Sequence, residues 1–238
     1  MTRSQSDIES AVVQRIADTP VAGEPMPHIV VDEIFPPDFY AELLANIPGR
    51  SHYTKITETK RTTDAYENRL ILHLKTLDGL PAAQRAFWEE LARWFLDSGL
   101  ASALVKKFQG ELARAIGKDL RGLSYGTEGM LVKDLDGYFI GPHTDVRSRA
   151  VSLLFYLPAD DRQQAHGTTL YRPHDRTMTS DGSRHLGFAG FEPVSTVPFR
   201  PNAMLGFPRT DASFHGVAPI DAPGIERDLL LYILRWSG

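Results

Sequence analysis

The residues with the clearest chemical potential lie in the segment GPHTDVRSRAVSLLFYLP, which covers positions 141–158. His143 and Asp145 are separated by one residue, follow a Gly-Pro pair and precede a nearly unbroken apolar run. If residues 138–143 form a strand, both side chains project to the same side, because strand side chains alternate with a period of two. The pair could therefore supply two metal ligands, although an ordinary polar turn before a strand is the alternative interpretation.

A third metal ligand would have to come from a distant part of the chain. His215 follows the strand-like run NAMLGFP and is itself followed by Gly216. The chain contains no cysteine, so any metal must be held by histidine, carboxylate and water, a set that suits Fe(II) or Mn(II) as well as zinc. Two histidines and one carboxylate on one face of a metal leave the opposite face open. The pattern thus predicts a metal site at His143, Asp145 and His215.

An arginine begins the last apolar run, RDLLLYILRW, at position 227. An unpaired buried guanidinium would carry a large desolvation cost. An inward-facing Arg227 therefore requires a carboxylate partner, since the guanidinium fork matches a carboxylate in a bidentate pair. The distal carboxylate of a dicarboxylic cosubstrate would satisfy this requirement.

The first half of the chain is predicted to be mainly helical. Apolar spacing predicts a short helix over residues 4–17, capped by Ser6 or Asp7, and a second helix within PPDFYAELLANIPG. The longest helical tract, residues 81–117, is expected to split into two helices at Gly99, and its aromatic stripe to pack on a sheet. The segments PHIVVDEIF and NRLILHL are predicted strands.

From residue 123 onward, short runs rich in β-branched, aromatic and aliphatic residues alternate with Gly, Pro and Asp. This rhythm predicts an antiparallel sandwich or barrel of about eight strands, the size whose interior accommodates one small ligand. Residues 172–192 are polar and contain glycines, which predicts a long loop between strands, with the character of a lid over a compact pocket.

These motifs resemble the prolyl-4-hydroxylase-like branch of the 2-oxoglutarate- and Fe(II)-dependent dioxygenases, over residues 120–236. The family's H-x-D and distal histidine are matched by His143, Asp145 and His215, and its cosubstrate arginine by Arg227. The family strand T-x-x-x-Y-L-N is matched by SLLFYLP, which implies that Tyr156 donates a second hydrogen bond to the cosubstrate carboxylate.

Two further matches are looser. The tyrosine often found on the strand before H-x-D is displaced, and Tyr138 is the nearest candidate for a third cofactor-binding residue. Leu229 stands where many relatives carry a serine. The resemblance implies one domain over residues 1–238, mainly β with supporting helices (α+β). Within it, residues 121–238 would form a double-stranded β-helix (jelly-roll, cupin-like) core and residues 1–120 a helical supporting region.

The resemblance also implies a reaction. Fe(II), 2-oxoglutarate and O2 would together hydroxylate an unactivated C–H bond with release of succinate and CO2, and ascorbate is an optional reductant. Because Asp145 is a carboxylate, and not the Gly or Ala of related halogenases, hydroxylation is favoured over chlorination. The expected substrate is a small molecule, such as an amino acid, a carrier-tethered precursor or a secondary metabolite.

Two other functions remain open at this point, a prolyl or peptidyl protein hydroxylase and a catalytically silent barrel that senses metal or a dicarboxylate. Three arginines are candidate substrate contacts, because binding residues gather near the mouth of such barrels, although a solvated edge is the alternative. These are Arg147, Arg149 and Arg209. The remaining histidines lack a comparable motif and are expected to be surface or packing residues.

The composition of the chain indicates which classes of partner are not expected. A net charge of −4 and a pI near 6.1 argue against a dedicated nucleic-acid binder. The N-terminal segment has no signal-peptide pattern, and no apolar run approaches the roughly 18 residues of a membrane span. A cytoplasmic protein without membrane or nucleic-acid partners is therefore expected, and a homodimer is compatible with the sequence.

Overall fold

The computed structural model describes residues 4–59, 68–117, 120 and 122–237. Its helices are α1 (Gln5–Asp18), α2 (Pro37–Ala45), α3 (Ala82–Phe95), α4 (Ser98–Lys107) and α5 (Gln109–Ile116). The early strands are β1 (Ile29–Val31), β2 (Thr54–Lys55) and β3 (Arg69–His73). The later strands are β4 (Ser124–Leu135), β5 (Ile140–His143), β6 (Arg149–Tyr156), β7 (Thr168–Pro173), β8 (Phe191–Val197), β9 (Met204–Pro208), β10 (His215–Val217) and β11 (Glu226–Ser237).

The predicted cap of the first helix was wrong by two or three residues. Ser4 is the N-cap, and its hydroxyl accepts a hydrogen bond of 3.2 Å from the backbone N–H of Asp7. The Asp7 carboxylate in turn accepts one from the backbone N–H of Ser4, which completes a reciprocal capping box. Asp7 thus contributes to the cap from the third helical position.

The long helical tract divides into three helices, and the predicted division at Gly99 was wrong. The first break falls at Leu96 and Asp97, where Asp97 adopts an extended conformation before α4, and the second falls at Phe108. Gly99 lies in the first turn of α4. A glycine costs only about 1 kcal/mol within a helix, so it does not have to end one.

Two antiparallel sheets form the β-region. The larger has the order β1-β9-β6-β11-β4-β3-β2, and the smaller the order β5-β10-β7-β8. Within the described residues after 122, the eight strands β4 to β11 divide four and four between the sheets, as in a jelly roll. This confirms the predicted fold class and strand number. The early strands extend the larger sheet at both edges, and the division of the chain at residue 120 stays a prediction.

The two faces of the larger sheet have different partners. Side chains of one face pack against the helices, and the Phe95 ring of α3 lies 5.5 Å from the Phe155 ring and 5.2 Å from the Tyr232 ring. This confirms that the aromatic stripe of the long helical tract packs on a sheet. The residues next to them in sequence, Tyr156 after Phe155 and Ile233 after Tyr232, belong to a second cluster on the other face. Because strand side chains alternate, this second face is turned towards the smaller sheet.

None of the helices in the described part of the chain is both long and apolar enough to cross a membrane.

Candidate metal centre and its cavity

The three predicted metal ligands meet at one end of the space between the sheets. His143 ends β5 and His215 begins β10, and the two residues are directly opposite each other in the antiparallel register. Asp145 follows two residues after His143. One ligand atom from each of the three side chains lies within 4.8 Å of the others, and all three residues are buried.

Backbone carbonyls orient both imidazole rings. His143 Nδ1 lies 3.0 Å from the carbonyl oxygen of Gly141, and His215 Nδ1 lies 3.1 Å from that of Ser213. A carbonyl oxygen can only accept a hydrogen bond, so Nδ1 carries the proton in each ring. The unprotonated Nε2 atoms are then available to a metal ion, and the carbonyls hold the rings in place.

The third ligand is held by two side chains of the neighbouring strand β6. Arg149 Nη1 donates a hydrogen bond of 2.5 Å to Asp145 Oδ1, and Ser152 Oγ donates one of 2.6 Å to Oδ2. Both carboxylate oxygens therefore have a fixed direction. Arg149, a predicted substrate contact, therefore forms an ion pair with the carboxylate of Asp145.

The electrostatics of the centre favour the protonation states that bind metal. Burial, together with the neighbouring His215 and His185, holds the pKa of His143 well below its usual value, and burial also lowers the pKa of His215. Burial would raise the pKa of Asp145, but the charge of Arg149 outweighs it with help from both ligand histidines and the Ser152 hydrogen bond, so this pKa is lowered. Neutral imidazoles and an ionised carboxylate are the states that metal ions require.

Arg209 links the metal-ligand turn to the long loop between β7 and β8. Its buried guanidinium donates from Nε to the main-chain oxygen of Asp145 at 3.1 Å and from Nη2 to that of Ser180 at 2.8 Å. It also forms an ion pair of 2.6 Å with Asp211. Arg209 thus acts as a brace, a side chain whose hydrogen bonds hold the metal-ligand turn and the loop together. Arg147, the third candidate substrate contact, is exposed near the same turn.

The β7–β8 loop covers residues 174–190 and packs across the metal-ligand segment. The backbone N–H of Leu186 donates to the carbonyl of Pro142 at 2.9 Å, and Thr144 Oγ1 donates to that of Ser180 at 3.2 Å. The loop brings the ring of His185 to a centroid distance of 4.5 Å from His143. We expected His185 to be an ordinary surface or packing histidine, because nothing in its sequence spacing indicates this position.

A cavity leads from the metal-ligand cluster to Arg69, Thr168 and Arg227 at its other end. Its walls between the two ends are mainly apolar and include Val132, Leu154, Phe207, Val217, Leu229 and Leu231. A ligand in this cavity would therefore meet three possible metal ligands at one end and cationic and hydroxyl groups at the other.

Arg227 is completely buried at the far end and has a carboxylate partner within the protein. Its Nη1 donates to Asp134 Oδ2 at 2.7 Å, and its Nε donates to the carbonyl of His166, also at 2.7 Å. Its guanidinium carbon lies 4.4 Å from the ring centre of Phe199. Nη2 is buried without a hydrogen-bond partner among the described residues. The sequence predicted the inward-facing arginine, but it did not identify Asp134.

Two hydroxyl groups near Arg227 are likewise buried without a hydrogen-bond partner of normal geometry among the described residues. Tyr156 lies on the same face of β6 as Ser152, and its ring centre is 5.8 Å from the Arg227 guanidinium carbon. Within the described chain, neither the Tyr156 hydroxyl nor the Thr168 hydroxyl forms a hydrogen bond of normal geometry, although both are buried. Buried polar atoms without partners are costly. Arg227 and Thr168 both line the cavity, and Tyr156 lies next to Arg227, so these atoms indicate a place for a polar ligand.

Tyr138, the third predicted cofactor-binding residue, lies next to Arg69. Its ring is buried against Val217 and Ile220, and the guanidinium carbon of Arg69 lies 4.3 Å from its centre. Tyr138 is not among the residues that line the cavity. The predicted cosubstrate contact of Tyr138 stays a prediction.

No protein-family model matches this chain, and no curated protein matches it in sequence. Solved structures do match it in shape. A prolyl-4-hydroxylase from Pseudomonas putida superposes with a TM-score of 0.53 at 16% identity, over 95% of this chain and 98% of the other.

Two further solved structures match similarly. SnoN, a non-haem α-ketoglutarate-dependent epimerase from nogalamycin biosynthesis, superposes with a TM-score of 0.55 at 11% identity, over 95% of this chain and 80% of its own. HygX from Streptomyces hygroscopicus, solved with nickel, 2-oxoglutarate and hygromycin B, has a TM-score of 0.50 at 14% identity, over 99% and 87% of the two chains. This chain therefore has the fold of the 2-oxoglutarate- and Fe(II)-dependent oxygenases.

Proposed function

We propose that this protein is a 2-oxoglutarate- and Fe(II)-dependent dioxygenase that hydroxylates an unactivated C–H bond of a small molecule and releases succinate and CO2. The observation that carries this proposal is the buried cluster of His143, Asp145 and His215 at one end of a cavity whose other end holds Arg227. The fold shared with solved oxygenases supports the same conclusion.

The residues of the chain fit the metal. Two Nε2 atoms and one carboxylate oxygen form the facial donor set that suits non-haem Fe(II) and leaves positions open for other ligands. Iron bound there with 2-oxoglutarate supplies the activation of O2. Arg149 and Ser152 keep the Asp145 carboxylate ionised and oriented, and the carbonyls of Gly141 and Ser213 keep both imidazoles in the binding tautomer.

The far end of the cavity fits the distal carboxylate of 2-oxoglutarate. The Arg227 Nη2 and the hydroxyls of Tyr156 and Thr168 are buried donors that no described residue satisfies. A carboxylate accepts several such hydrogen bonds, and charged bonds are stronger than neutral ones. The apolar walls exclude water between the two ends, which strengthens both sets of polar contacts.

The structure around the metal cluster favours a small substrate. The β7–β8 loop crosses the metal-ligand segment, with Leu186 bonded to Pro142 and Ser180 bonded to Thr144 and Arg209. The loop therefore covers part of the metal-ligand segment, which favours a compact substrate over an extended peptide. HygX is solved with hygromycin B, and SnoN with nogalamycin RO, which also supports a small molecule. The likeness to a prolyl-4-hydroxylase favours a peptidyl substrate as the second candidate.

Anaerobic addition of Fe(II) and 2-oxoglutarate to the purified protein tests this proposal. A visible charge-transfer band is expected in the wild type and not in His143→Ala, Asp145→Ala or His215→Ala. Admission of O2 should bleach the band while succinate forms. A folded wild type that binds both additions but never forms succinate would instead be a silent sensor barrel.

The two substrate classes are distinguished in the same assay. Pools of small amino acids and secondary metabolites should accelerate succinate formation, whereas prolyl peptides should not. Acceleration by the peptides alone would assign the protein to the peptidyl hydroxylases.

A further inference from the structure

The β7–β8 loop covers the outer side of the strand that carries the first metal ligand. β5 lies at the edge of the smaller sheet, with β10 as its neighbour. Along the outer side of β5, the backbone N–H of Leu186 donates to the carbonyl of Pro142 at 2.9 Å. The Leu186 carbonyl oxygen lies where a side chain at Gly141 would be, because a Cβ at that position would overlap it. The loop therefore protects the edge of β5.

The same loop follows the chain beyond β5 to the aspartate ligand. The Thr144 hydroxyl donates to the carbonyl of Ser180 at 3.2 Å. Gly182 packs so closely against the main chain of Asp145 that a Cβ on Gly182 would overlap the Asp145 carbonyl. The loop thus contacts the chain on both sides of His143, and the position of this ligand depends on it.

Four aromatic rings form a row through the metal centre. The ring centres of His185 and His143 are 4.5 Å apart, those of His143 and His215 are 4.3 Å apart, and those of His215 and Phe207 are 4.5 Å apart. Phe207 is completely buried on β9 of the larger sheet, which fixes one end of the row. His185, at the other end, is half-buried and belongs to the loop. Both ligand imidazoles are therefore enclosed between a strand residue and a loop residue.

His185 meets the centre through a ring contact. In the described part of the chain, the group whose ligand atoms lie within 4.8 Å of one another comprises His143, Asp145 and His215, without His185. The edge-on His185 ring limits the rotation of the His143 ring, which the hydrogen bond to the Gly141 carbonyl also holds. A ligand that is held in its binding orientation before the metal arrives loses less conformational freedom on binding.

We infer that His185 is a positioning residue of the metal centre: its ring holds His143 in place and so couples the packing of the β7–β8 loop to metal binding. This inference rests on the proposed function, which places the metal at His143. Coupling between two sites is reciprocal. A packed loop therefore raises the metal affinity, and a bound metal stabilises the packed loop by the same free energy.

Competition titration of Mn(II) against a fluorescent chelator tests the inference. His185→Ala removes the ring and should weaken Mn(II) binding by roughly 3- to 10-fold, the effect of one aromatic ring contact. His185→Phe keeps a ring at this place without its nitrogen atoms and should remain within about twofold of the wild type. The matched control is Gly187→Ala in the same loop, where a Cβ meets no heavy atom within 4 Å, and its Mn(II) affinity should be unchanged.

Hydrogen exchange measured by mass spectrometry tests the reciprocal effect. In the wild type, saturating Mn(II) should slow amide exchange over residues 174–190 by roughly 3- to 10-fold. In His185→Ala most of this protection should be lost, because the loop no longer contacts the ligand ring. Exchange in α1, which packs on α3 and α4, is the internal reference and should not respond to Mn(II).

Several results would overturn the inference. Equal Mn(II) affinity in His185→Ala and wild type, or equal protection of the loop by Mn(II) in both, would make His185 a packing residue only. A loss in His185→Phe as large as in His185→Ala would show that a ring nitrogen acts, and not the ring contact. If His185→Ala does not fold, Gly182→Ala decides the question, because it displaces the loop and should lower the Mn(II) affinity; an unchanged affinity would contradict the coupling. A folded wild type that binds no Mn(II) would refute the proposed function itself, and the inference with it.

Discussion

A hydrogen bond of 3.1 Å joins Arg209 Nε to the main-chain carbonyl of Asp145, across 64 positions of sequence. The same buried guanidinium reaches the carbonyl of Ser180 and the carboxylate of Asp211. One side chain therefore connects the metal-ligand turn, the β7–β8 loop and the segment after β9. The metal-ligand turn lies between β5 and β6, and Arg209 belongs to neither of these strands. The position of the Asp145 backbone therefore depends on a distant part of the chain.

Arg209→Met should destabilise the fold. The change removes the Arg209 donor of the Asp145 carbonyl and one of the two side-chain donors of the Ser180 carbonyl, the other being Thr144 Oγ1, and we expect it to lower the free energy of unfolding by about 2–4 kcal/mol. Urea denaturation measures this difference. The matched control is Arg200→Met, because Arg200 pairs with Asp32 at 2.7 Å on the surface, with both side chains well exposed. That pair should contribute less than about 1 kcal/mol. Similar losses in both variants would contradict the role of Arg209 as a brace.

Gly182→Ala should displace the β7–β8 loop from the metal-ligand turn. Gly182 has a φ of +82°, and a Cβ there would approach the carbonyl oxygen of Asp145 to 2.3 Å. The backbone must shift, since other residues rarely adopt this conformation. We expect faster limited proteolysis within residues 174–190. Gly187→Ala is the control, because a Cβ at Gly187 meets no heavy atom within 4 Å. Equal cleavage rates in the two variants would show that the contact at Gly182 does not hold the loop.

Arg149→Gln should weaken metal binding, because Arg149 is the charged partner that counteracts the effect of burial on the pKa of Asp145. Loss of such an outer partner typically reduces metal affinity by about 10- to 100-fold. Competition titration of Mn(II) against a fluorescent chelator measures the change. The control is Arg147→Gln, two residues earlier and exposed. Unchanged Mn(II) affinity in Arg149→Gln would show that Ser152 and the protein fold alone orient Asp145.

Tyr156→Phe should weaken 2-oxoglutarate binding without destabilising the protein. The hydroxyl of Tyr156 is buried beside Thr168 and forms no hydrogen bond of normal geometry with the described residues, so its removal should cost the free protein little, but it removes one donor to the ligand. A loss of about 1.5–3 kcal/mol, or roughly 10- to 100-fold in affinity, is expected for a bond to a charged group.

Tyr232→Phe is the matched control for that experiment. Its hydroxyl is likewise buried without a partner in the described chain, but the residue packs among the helix-facing side chains. Both variants should melt at or above the wild-type temperature in the absence of ligand. A weaker 2-oxoglutarate affinity in Tyr232→Phe, or an unchanged one in Tyr156→Phe, would remove Tyr156 from the cosubstrate site.

The parts of the fold that follow from local patterns were predictable. About eight strands after residue 122 were indicated by short apolar runs between Gly, Pro and Asp. Helical spacing indicated α1, α2 and the helical tract over residues 81–117, which was expected to form two helices and forms three. The errors concern boundaries, at Ser4 and Gly99, because several residues can cap or end a helix and local preferences differ by only about 1 kcal/mol.

The sequence by itself determined the metal ligands and the inward-facing arginine. His143 and Asp145 lie two apart at a strand end, and an arginine at the start of an apolar strand requires a buried partner, so these three residues could be identified from their immediate neighbours. His215 was assigned by the family resemblance. The period-two alternation of strand side chains is a local property, which explains why this part of the site was predictable.

Only the tertiary structure decided which residues surround these groups. The row of ion pairs Arg69–Asp134–Arg227 depends on the register of three strands. His185 reaches the metal-ligand segment through the loop packed across it, and Arg209 reaches it from the segment after β9. Strand alternation specifies which face a side chain occupies, but not which residue of another strand lies opposite. That register depends on long-range packing between distant segments, and a shift of two residues would preserve every local pattern while separating Asp134 from both arginines.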